Sequence, residues 1–199
     1  SGYSSASYAY AMYLRNAGDV DVTDSTLSGI STAIGGRGLF VTTGSSGDIN
    51  VQGSTITAQG ATNSRAIYVN GGSGDVTVSD TTINASTDSG NAYGLYANNT
   101  SGDIHIDNSV FNVDVVAGDQ YAIGAMVDYG ASGSMSVSNS IFNLETENSI
   151  GLGIWAASPS TAVTVTDNIF NITDSADVVY VIYDPYGTVS SSDNEINSL

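Results

Sequence analysis

The chain has almost no positive charge, which excludes several classes of partner. Among its 199 residues there is no lysine and there are only three arginines, against 20 acidic residues, so the formal net charge is −17. Nucleic acids and anionic membrane surfaces are bound through basic patches. The composition therefore predicts no nucleic-acid partner and no docking on an anionic membrane.

Cysteine and long apolar runs are absent as well. Without cysteine the chain has no disulfide or thiol chemistry, which is compatible with export to an oxidising environment. No run of about 18 apolar residues is available for a membrane-spanning helix, so we expect no direct membrane insertion of this segment. The first ten residues also lack the positive start and apolar core of a signal peptide.

What the sequence does contain is one unit repeated seven times, typified by residues 74–85. Successive copies are separated by about 28 residues. A fixed interval of about 20 to 50 residues is typical of proteins in which each unit stacks on its neighbours. The first apolar position of the unit is occupied in turn by Val20, Ile49, Val76, Ile104, Met135, Val163 and Val189.

The pattern within each unit predicts the fold. Apolar residues alternate with Asp, Ser, Thr and Asn at a period of two, as expected for strands with one buried face, and no unit has helical spacing. We predict an all-β chain folded as a right-handed parallel β-helix of about seven coils, since parallel crossovers are nearly always right-handed. The unbroken period predicts a single segment over residues 1–199, and because the chain begins within a repeat we expect a longer protein around it.

Two polar columns predict local structure. The position two residues after each Val-x-Val pair holds only Asp, Asn or Gly, which tolerate a left-handed backbone, so we expect a one-residue corner there. Five asparagines share another position, which predicts a ladder of stacked amides. The corner column is Asp24, Gly53, Asp80, Asn108, Asn139, Asp167 and Asp193, and the amide column is Asn84, Asn112, Asn143, Asn171 and Asn197.

A column of mostly aromatic side chains predicts a ligand-binding surface. In the first strand of each unit, aliphatic residues share the face that should point inward, and the opposite parity carries a large side chain beside Gly or Ala. If exposed, such a stripe marks an interaction site, and rings suit sugar faces and protein partners. The alternative is that loops cover the rings or that the rings are the buried parity. The predicted binding residues are Tyr13, Phe40, Tyr68, Tyr96, Met126, Trp155 and Tyr183.

The outward row of the second strand predicts a surface for self-association. Stacked coils bring its carboxylates close together, and like charges repel, so water, calcium or donors from a partner must offset the repulsion. Weak Ca²⁺ binding is one alternative, but no Asp-rich calcium loop is present, and we predict no required cofactor or metal. The row consists of Asp19, Asp21, Asp48, Asn50, Asp75, Thr77, Asp103, His105 and Asp107.

These residues carry a resemblance to a known family. The pattern Val-x-Val-x-(Asp/Asn)-x-x-Phe-Asn, followed by a triplet such as Gly94-Leu95-Tyr96, resembles the passenger domains of bacterial autotransporter adhesins. The self-associating type is the nearer match, because the doubled glycine of the polymorphic outer-membrane proteins is not consistently present. The resemblance implies export through the outer membrane and display on the bacterial cell surface. It also implies adhesion, autoaggregation or biofilm formation, with like molecules on neighbouring cells or a host surface protein or glycan as partners.

A carbohydrate-active enzyme is the alternative function, since polysaccharide lyases, hydrolases and phage tailspikes also use β-helices. A lyase needs a base and clustered cations to hold uronates, whereas we interpret Arg15, Arg37 and Arg65 as lying at different coil positions. A glycosidase needs two carboxylates about 5 to 10 Å apart, and no pair is distinguished by its surroundings. His105 is the one histidine that could act as a general base. We therefore predict that the chain is not an enzyme.

Overall fold

The structure is a computed structural model that describes residues 1–117, 120–147, 149–174 and 179–198. Within these ranges the chain is all-β, without a helix, and its strands form three parallel sheets. Each strand pairs with the equivalent strand of the coils above and below it. The predicted parallel β-solenoid of about seven coils is confirmed.

Each coil supplies one strand to each sheet in turn. The first sheet consists of β2 (Ala9–Arg15), β5 (Gly36–Thr42), β8 (Ser64–Gly72), β11 (Ala92–Thr100), β14 (Tyr121–Val127), β17 (Ile150–Ala156) and β20 (Val179–Tyr183). The second sheet consists of β3 (Val20–Thr23), β6 (Ile49–Gln52), β9 (Val76–Ser79), β12 (Ile104–Asp107), β15 (Met135–Ser138), β18 (Val163–Thr166) and β21 (Val189–Ser192). The third sheet consists of β1 (Gly2–Ser4), β4 (Thr26–Ser31), β7 (Thr55–Gly60), β10 (Thr82–Thr87), β13 (Val110–Val115), β16 (Ile141–Thr146), β19 (Ile169–Asp174) and β22 (Glu195–Ser198).

The chain turns from the second sheet to the third at a single left-handed residue. The angle φ is 47° at Asp24, 60° at Gly53 and 45° at Asn108. The other four corner residues also have positive φ, a region that Asp, Asn and Gly reach at the lowest cost. The predicted corner is confirmed in all seven coils.

The interior is built from aliphatic columns and a stack of phenylalanine rings. Leu39 and Ile67 of the first sheet are fully buried, which confirms the predicted inward face. The rings of Phe111, Phe142 and Phe170 lie one above another, with centroid distances of 4.6 Å and 4.9 Å. Such close packing leaves no room for larger neighbours.

The small residues of the first strand point into this core, whereas the sequence analysis placed them on the parity opposite the inward aliphatic residues. A Cβ atom on Gly124 would lie 2.4 Å from Cδ1 of Phe142, and one on Gly153 would lie 2.5 Å from Cε1 of Phe170. Only glycine fits over these rings without displacing them. The glycines therefore complete the core and leave no strip of bare backbone beside the aromatic column outside.

The asparagine column forms the predicted amide ladder on the outside of the third sheet. The Nδ2 atoms of Asn112, Asn143 and Asn171 each donate to the Oδ1 atom of the preceding asparagine at 2.8 Å. Asn197 donates to Asn171 at 3.0 Å. Each amide thus links two neighbouring coils.

A second ladder at the corner was not predicted. From the second coil onward, the residue after the left-handed corner carries a hydroxyl or amide that accepts a hydrogen bond from the backbone of the preceding coil. The backbone N–H of Thr81 donates to Oγ of Ser109 at 3.2 Å, and that of Ser109 donates to Oγ of Ser140 at 3.1 Å. The buried backbone donors at the corner are thereby satisfied. The column is Ser25, Ser54, Thr81, Ser109, Ser140, Asn168 and Asn194.

Candidate functional site

The outer face of the first sheet carries two columns of large side chains rather than one. In β11 and β14 the pairing passes from Tyr93 with Ile123 directly to Leu95 with Ala125. One residue on each strand, Gly94 and Gly124, lies between these pairs, and both point into the core like the residues that follow them, which breaks the period of two. Residues three positions apart therefore share the outer face. The second column is Tyr10, Arg37, Arg65, Tyr93, Ile123, Leu152 and Tyr180.

The predicted aromatic column lies on the outer face, but most of it is not exposed. Phe40, Tyr68, Tyr96 and Met126 are buried, because the second column and the neighbouring rings cover them. The remaining members of the predicted stripe are more open: Trp155 is half-buried, and Tyr13 and Tyr183 are 51% and 38% exposed. The column is therefore covered in its middle, as in the alternative that rings are covered, and its open rings lie near the two ends.

The middle of this face is a stack of rings and guanidinium groups. The ring of Tyr68 lies 4.7 Å from that of Phe40 and 5.2 Å from that of Tyr96, measured between centroids. Cζ of Arg37 lies 5.0 Å from the Tyr68 centroid and Cζ of Arg65 lies 4.8 Å from it. Each guanidinium is thus within the range of a cation–π contact.

Arg37 and Arg65 occupy the same coil position, which corrects the sequence interpretation. They are directly paired residues of β5 and β8. Arg37 is buried, and this burial lowers its pKa, with the positive charge of Arg65 contributing to the same direction. The sequence does indicate this shared position, because Arg37 lies two residues before the inward Leu39 and Arg65 lies two residues before the inward Ile67.

The far part of the same face opens into an aromatic groove. A cavity of about 230 Å³ adjoins a second of about 490 Å³, and the two share Tyr121, Trp155 and Tyr183. We call the joined cavities the aromatic groove. It is lined by Tyr93, Tyr96, Tyr121, Met126, Asp128, Tyr129, Ile150, Leu152, Trp155, Tyr180, Tyr183 and Tyr186, among others.

One wall of the aromatic groove is the turn that follows β20. The carboxylate of Asp184 accepts hydrogen bonds from the backbone N–H of Val189 at 2.8 Å and of Tyr186 at 3.1 Å. The Tyr186 hydroxyl then lies 2.7 Å from that of Tyr129. Asp184 interrupts an inward aliphatic column in the sequence, and the structure shows that it holds this turn instead.

Polar groups at the groove complement its rings. The Tyr96 hydroxyl donates to the carboxylate of Asp128, and burial followed by this hydrogen bond raises the pKa of Tyr96. The indole N–H of Trp155 is buried without a hydrogen-bond partner among the described residues. Flat rings beside a carboxylate and spare donors can contact both the apolar face and the hydroxyls of a sugar, or an aromatic-rich protein surface.

The acidic row lies on the outside of the second sheet as predicted, and its charges are stabilised from within the solenoid. Oδ1 of Asp19 accepts from the backbone N–H of Asp48 at 3.1 Å, and Oδ1 of Asp48 accepts from that of Asp75 at 3.0 Å. The series continues from Asp75 to the N–H of Asp103 at 2.8 Å, and from Asp103 to the N–H of Ser134 at 2.6 Å. Backbone donors thus offset much of the carboxylate repulsion.

Other members of the row are paired between coils in the same way. Nδ2 of Asn50 donates to Asp21 at 3.0 Å, and Nδ1 of His105 lies 2.8 Å from Oγ of Ser136. Asp107 accepts from Asn139 and Ser138, and these hydrogen bonds lower its pKa. The pKa of Asp103 is also lowered, chiefly by the backbone N–H of Ser134. Thr77 lies half-buried in the same row.

A polar trough runs along the third sheet beside the amide ladder. It has a volume of about 510 Å³ and includes Asn112, Asp114 and Glu145 in its lining. Burial raises the pKa of Asp114, and the nearby charges of Glu145, Glu147 and Asp88 raise it further. The sequence analysis did not single out this site, although Asp114 and Glu145 occupy equivalent positions in neighbouring coils.

The described residues form neither a metal-binding cluster nor a membrane-spanning helix. Across residues 1–117, 120–147, 149–174 and 179–198, no three or more His, Cys, Asp and Glu side chains group so as to hold a metal ion. In the same ranges no helix is long and apolar enough to span a bilayer. Weak calcium binding by the acidic row stays a prediction.

Comparisons with known proteins do not assign the chain to a family. No protein-family model, no curated protein and no solved structure matches the chain.

Proposed function

We propose that this chain is the binding module of an adhesin displayed on a bacterial cell surface after export through the outer membrane. It acts by non-covalent contact along a rigid solenoid rather than by chemistry. The sequence pattern shared with autotransporter passengers supports the cellular setting. The outer face of the first sheet supports the mode of action, because the far end of its ring cluster stays open to solvent.

The observation that carries this proposal is the aromatic groove. The fold already buries its own core of aliphatic columns and phenylalanine rings, so the rings outside that core do not close it. Tyr180 and Tyr183 are 44% and 38% exposed, and Tyr129 and Tyr186 stand open at the groove wall. Clustered exposed aromatic residues mark interaction sites, and Tyr and Trp dominate the binding energy of many interfaces.

A glycan is the ligand that the aromatic groove fits best. Sugar rings stack on aromatic faces, and their hydroxyls need nearby donors and acceptors. The groove has both, in the carboxylate of Asp128 and the hydroxyls of Tyr129 and Tyr186. A host surface protein is the other partner implied, and its binding would use the same rings.

The test measures binding to a panel of oligosaccharides and to cells, with the chain displayed on beads. The double substitution Tyr180→Ser with Tyr183→Ser removes two exposed rings, and we expect at least about tenfold weaker binding, since a hot-spot ring contributes about 2 kcal/mol or more. Tyr3→Ser is the matched control, because Tyr3 is 71% exposed on the third sheet, away from the groove.

Unchanged adhesion of the double variant would refute the groove as the contact. The same panel is scored for turnover, and cleavage of a polysaccharide that is lost in His105→Ala would establish the enzymatic alternative instead.

Self-association through the acidic row is a second candidate. It is favoured by the free half of each carboxylate: Oδ1 of Asp48 and of Asp75 is used within the ladder, whereas Oδ2 has no hydrogen-bond partner among the described residues. Oxygens in a straight row could accept donors from a second rod. Sedimentation of Asp48→Asn with Asp75→Asn tests this, and we expect fewer oligomers than for the unaltered chain if the row is the contact.

A further inference from the structure

Arg37 and Arg65 form a pair of like charges with no counter-charge. They are in register on neighbouring parallel strands, which lie about 4.8 Å apart. Arg37 is only 9% exposed and Arg65 is half-buried. In the described part of the chain neither guanidinium forms an ion pair, although the protein has 20 acidic residues. Buried charges in proteins are normally paired.

The faces of the surrounding rings provide cation–π contacts to these two guanidinium groups but no hydrogen-bond acceptors in their planes. Cζ of Arg37 lies 4.3 Å from the Tyr8 centroid and 4.6 Å from that of Phe40, and Cζ of Arg65 lies 4.9 Å from that of Tyr96. Ring faces attract a cation but offer no lone pairs in the guanidinium plane. Each guanidinium has five N–H donors.

Tyrosine hydroxyls, including that of Tyr93 beside Arg65, accept some of the hydrogen bonds that the pair can donate, and other donors have no acceptor among the described residues. Nη1 of Arg37 donates to the Tyr10 hydroxyl at 3.2 Å. The Nε atoms of both arginines are buried and have no acceptor among the described residues. Two adjacent guanidinium groups with spare donors match the geometry of a carboxylate or sulfate, whose oxygens accept several hydrogen bonds at once.

The electrostatics of this face favour an anion in spite of the overall charge. Among the described residues, all three arginines lie on strands of the first sheet, and the two outer columns of that sheet contain no acidic side chain. The acidic row is on the second sheet. The positive charges of these two columns are therefore not matched by negative charges within the columns.

We propose that Arg37 and Arg65 together bind an oxyanion carried by an acidic glycan, a carboxylate of a uronic acid or a sulfate ester. The proposal rests on the proposed function, because it assigns the same glycan to the aromatic groove. Tyr93 and Tyr96 connect the two sites: both rings contact Arg65, and both line the groove. A chain of sugars can therefore lie on the rings while its charged group meets the arginine pair.

Calorimetry on the 199-residue chain tests this with three tetrasaccharides. One is an oligomer of galacturonic acid, one is its carboxyl-reduced neutral counterpart, and one is the neutral sugar bearing sulfate esters. We expect one of the acidic sugars to bind at least about tenfold more tightly than the neutral one, since charge-assisted hydrogen bonds are about twice as strong as neutral ones. The tighter of the two identifies the oxyanion.

Arg65→Gln should abolish the preference for the acidic sugar, so that the variant binds the acidic and neutral sugars with similar affinity. Arg65 is chosen because it is less buried than Arg37, and circular dichroism checks that the variant folds. Arg15→Gln is the matched control, because Arg15 is exposed on the same sheet and makes no ring contact among the described residues. It should retain the preference.

Three outcomes overturn the oxyanion site: equal affinity for acidic and neutral sugars, a preference that survives Arg65→Gln, or no binding of any sugar. The proposed function fails separately, if Tyr180→Ser with Tyr183→Ser keeps full adhesion.

Discussion

On the outer faces of the first and second sheets, side chains of the same type stack from coil to coil, but they are stabilised in different ways. On the second sheet, four carboxylates each accept a hydrogen bond from the backbone of the next coil: those of Asp19, Asp48, Asp75 and Asp103. On the first sheet, the repeated side chains are rings that pack on one another, and polar atoms such as Nε of Arg37 and Nε1 of Trp155 have no partner in the described part of the chain. A high density of charge on this solenoid is therefore not the best guide to where it binds.

Buried and open side chains also occur within the single column of rings that was predicted to bind ligand. Tyr68 lies in the covered middle of the first-sheet face, between Phe40 and Tyr96, whereas Tyr13 stands half-exposed at one end. The same residue type at equivalent coil positions thus belongs to a secondary core in one coil and to open surface in another.

Tyr68→Ser should produce the largest loss of stability. It removes a buried ring that contacts two rings and two guanidinium groups, so we expect the free energy of unfolding to fall by about 3 kcal/mol. Tyr13→Ser is the control in the same column, and it should cost less than about 1 kcal/mol. Urea unfolding measures both, and equal effects would show that the covered middle is no different from the open end.

Ser109→Ala should have the next largest effect, because it breaks the corner ladder. The Ser109 hydroxyl is buried, donates to the Asp107 carbonyl oxygen at 2.9 Å and accepts from the N–H of Thr81. Leaving that donor unsatisfied should lower the free energy of unfolding by about 1 to 3 kcal/mol. Ser132→Ala, at an exposed position outside the ladder, should change it by less than about 0.5 kcal/mol. A neutral Ser109→Ala would mean that the ladder contributes no stability.

Substitutions in the acidic row should have smaller effects on the free energy of unfolding, and the effect should depend on the replacing residue. Asp75→Ala removes the acceptor for the N–H of Asp103, and we expect a loss of about 0.5 to 1 kcal/mol in the free energy of unfolding. Asp75→Asn keeps an acceptor oxygen while removing a charge, so it should be neutral or slightly stabilising. A gain in stability for Asp75→Ala would show that carboxylate repulsion outweighs the ladder.

The smallest effect should be the pH dependence that the acidic row contributes. Hydrogen bonds lower the folded-state pKa of Asp103 and Asp107. A lowered pKa contributes stability above the unfolded value of about 3.9. This stability is lost as pH falls through the folded value. The urea midpoint should therefore drop more below about pH 4 for the unaltered chain than for Asp103→Asn with Asp107→Asn. Parallel pH curves would contradict these assignments.

Much of the fold was predictable because equivalent positions of the repeat stack on one another from coil to coil and form columns. The left-handed corner and the amide ladder each depend on the properties of one residue type, and both are confirmed. The two successive inward residues in the first strand were missed because alternation at a period of two was assumed throughout. That single error hid the second outer column, the inward direction of Gly124 and the in-register pair of Arg37 and Arg65.

The exposure of the candidate site could not be predicted in the same way. Whether a ring such as Tyr96 is covered depends on side chains from neighbouring coils and on the turn after β20, which no repeat pattern encodes. The ladder from Asp19 to Ser134 was also missed, because it joins side chains to backbone atoms whose positions follow only from the stacking.

The central claim, that contact is made by the first-sheet face, is tested most directly by comparing two double variants in one adhesion assay on bead-displayed protein. Tyr180→Ser with Tyr183→Ser alters the aromatic groove, and Asp48→Asn with Asp75→Asn alters the acidic row. We predict that the first variant loses at least about tenfold in binding and that the second adheres like the unaltered chain. Full adhesion of the tyrosine variant with loss in the aspartate variant would contradict the account.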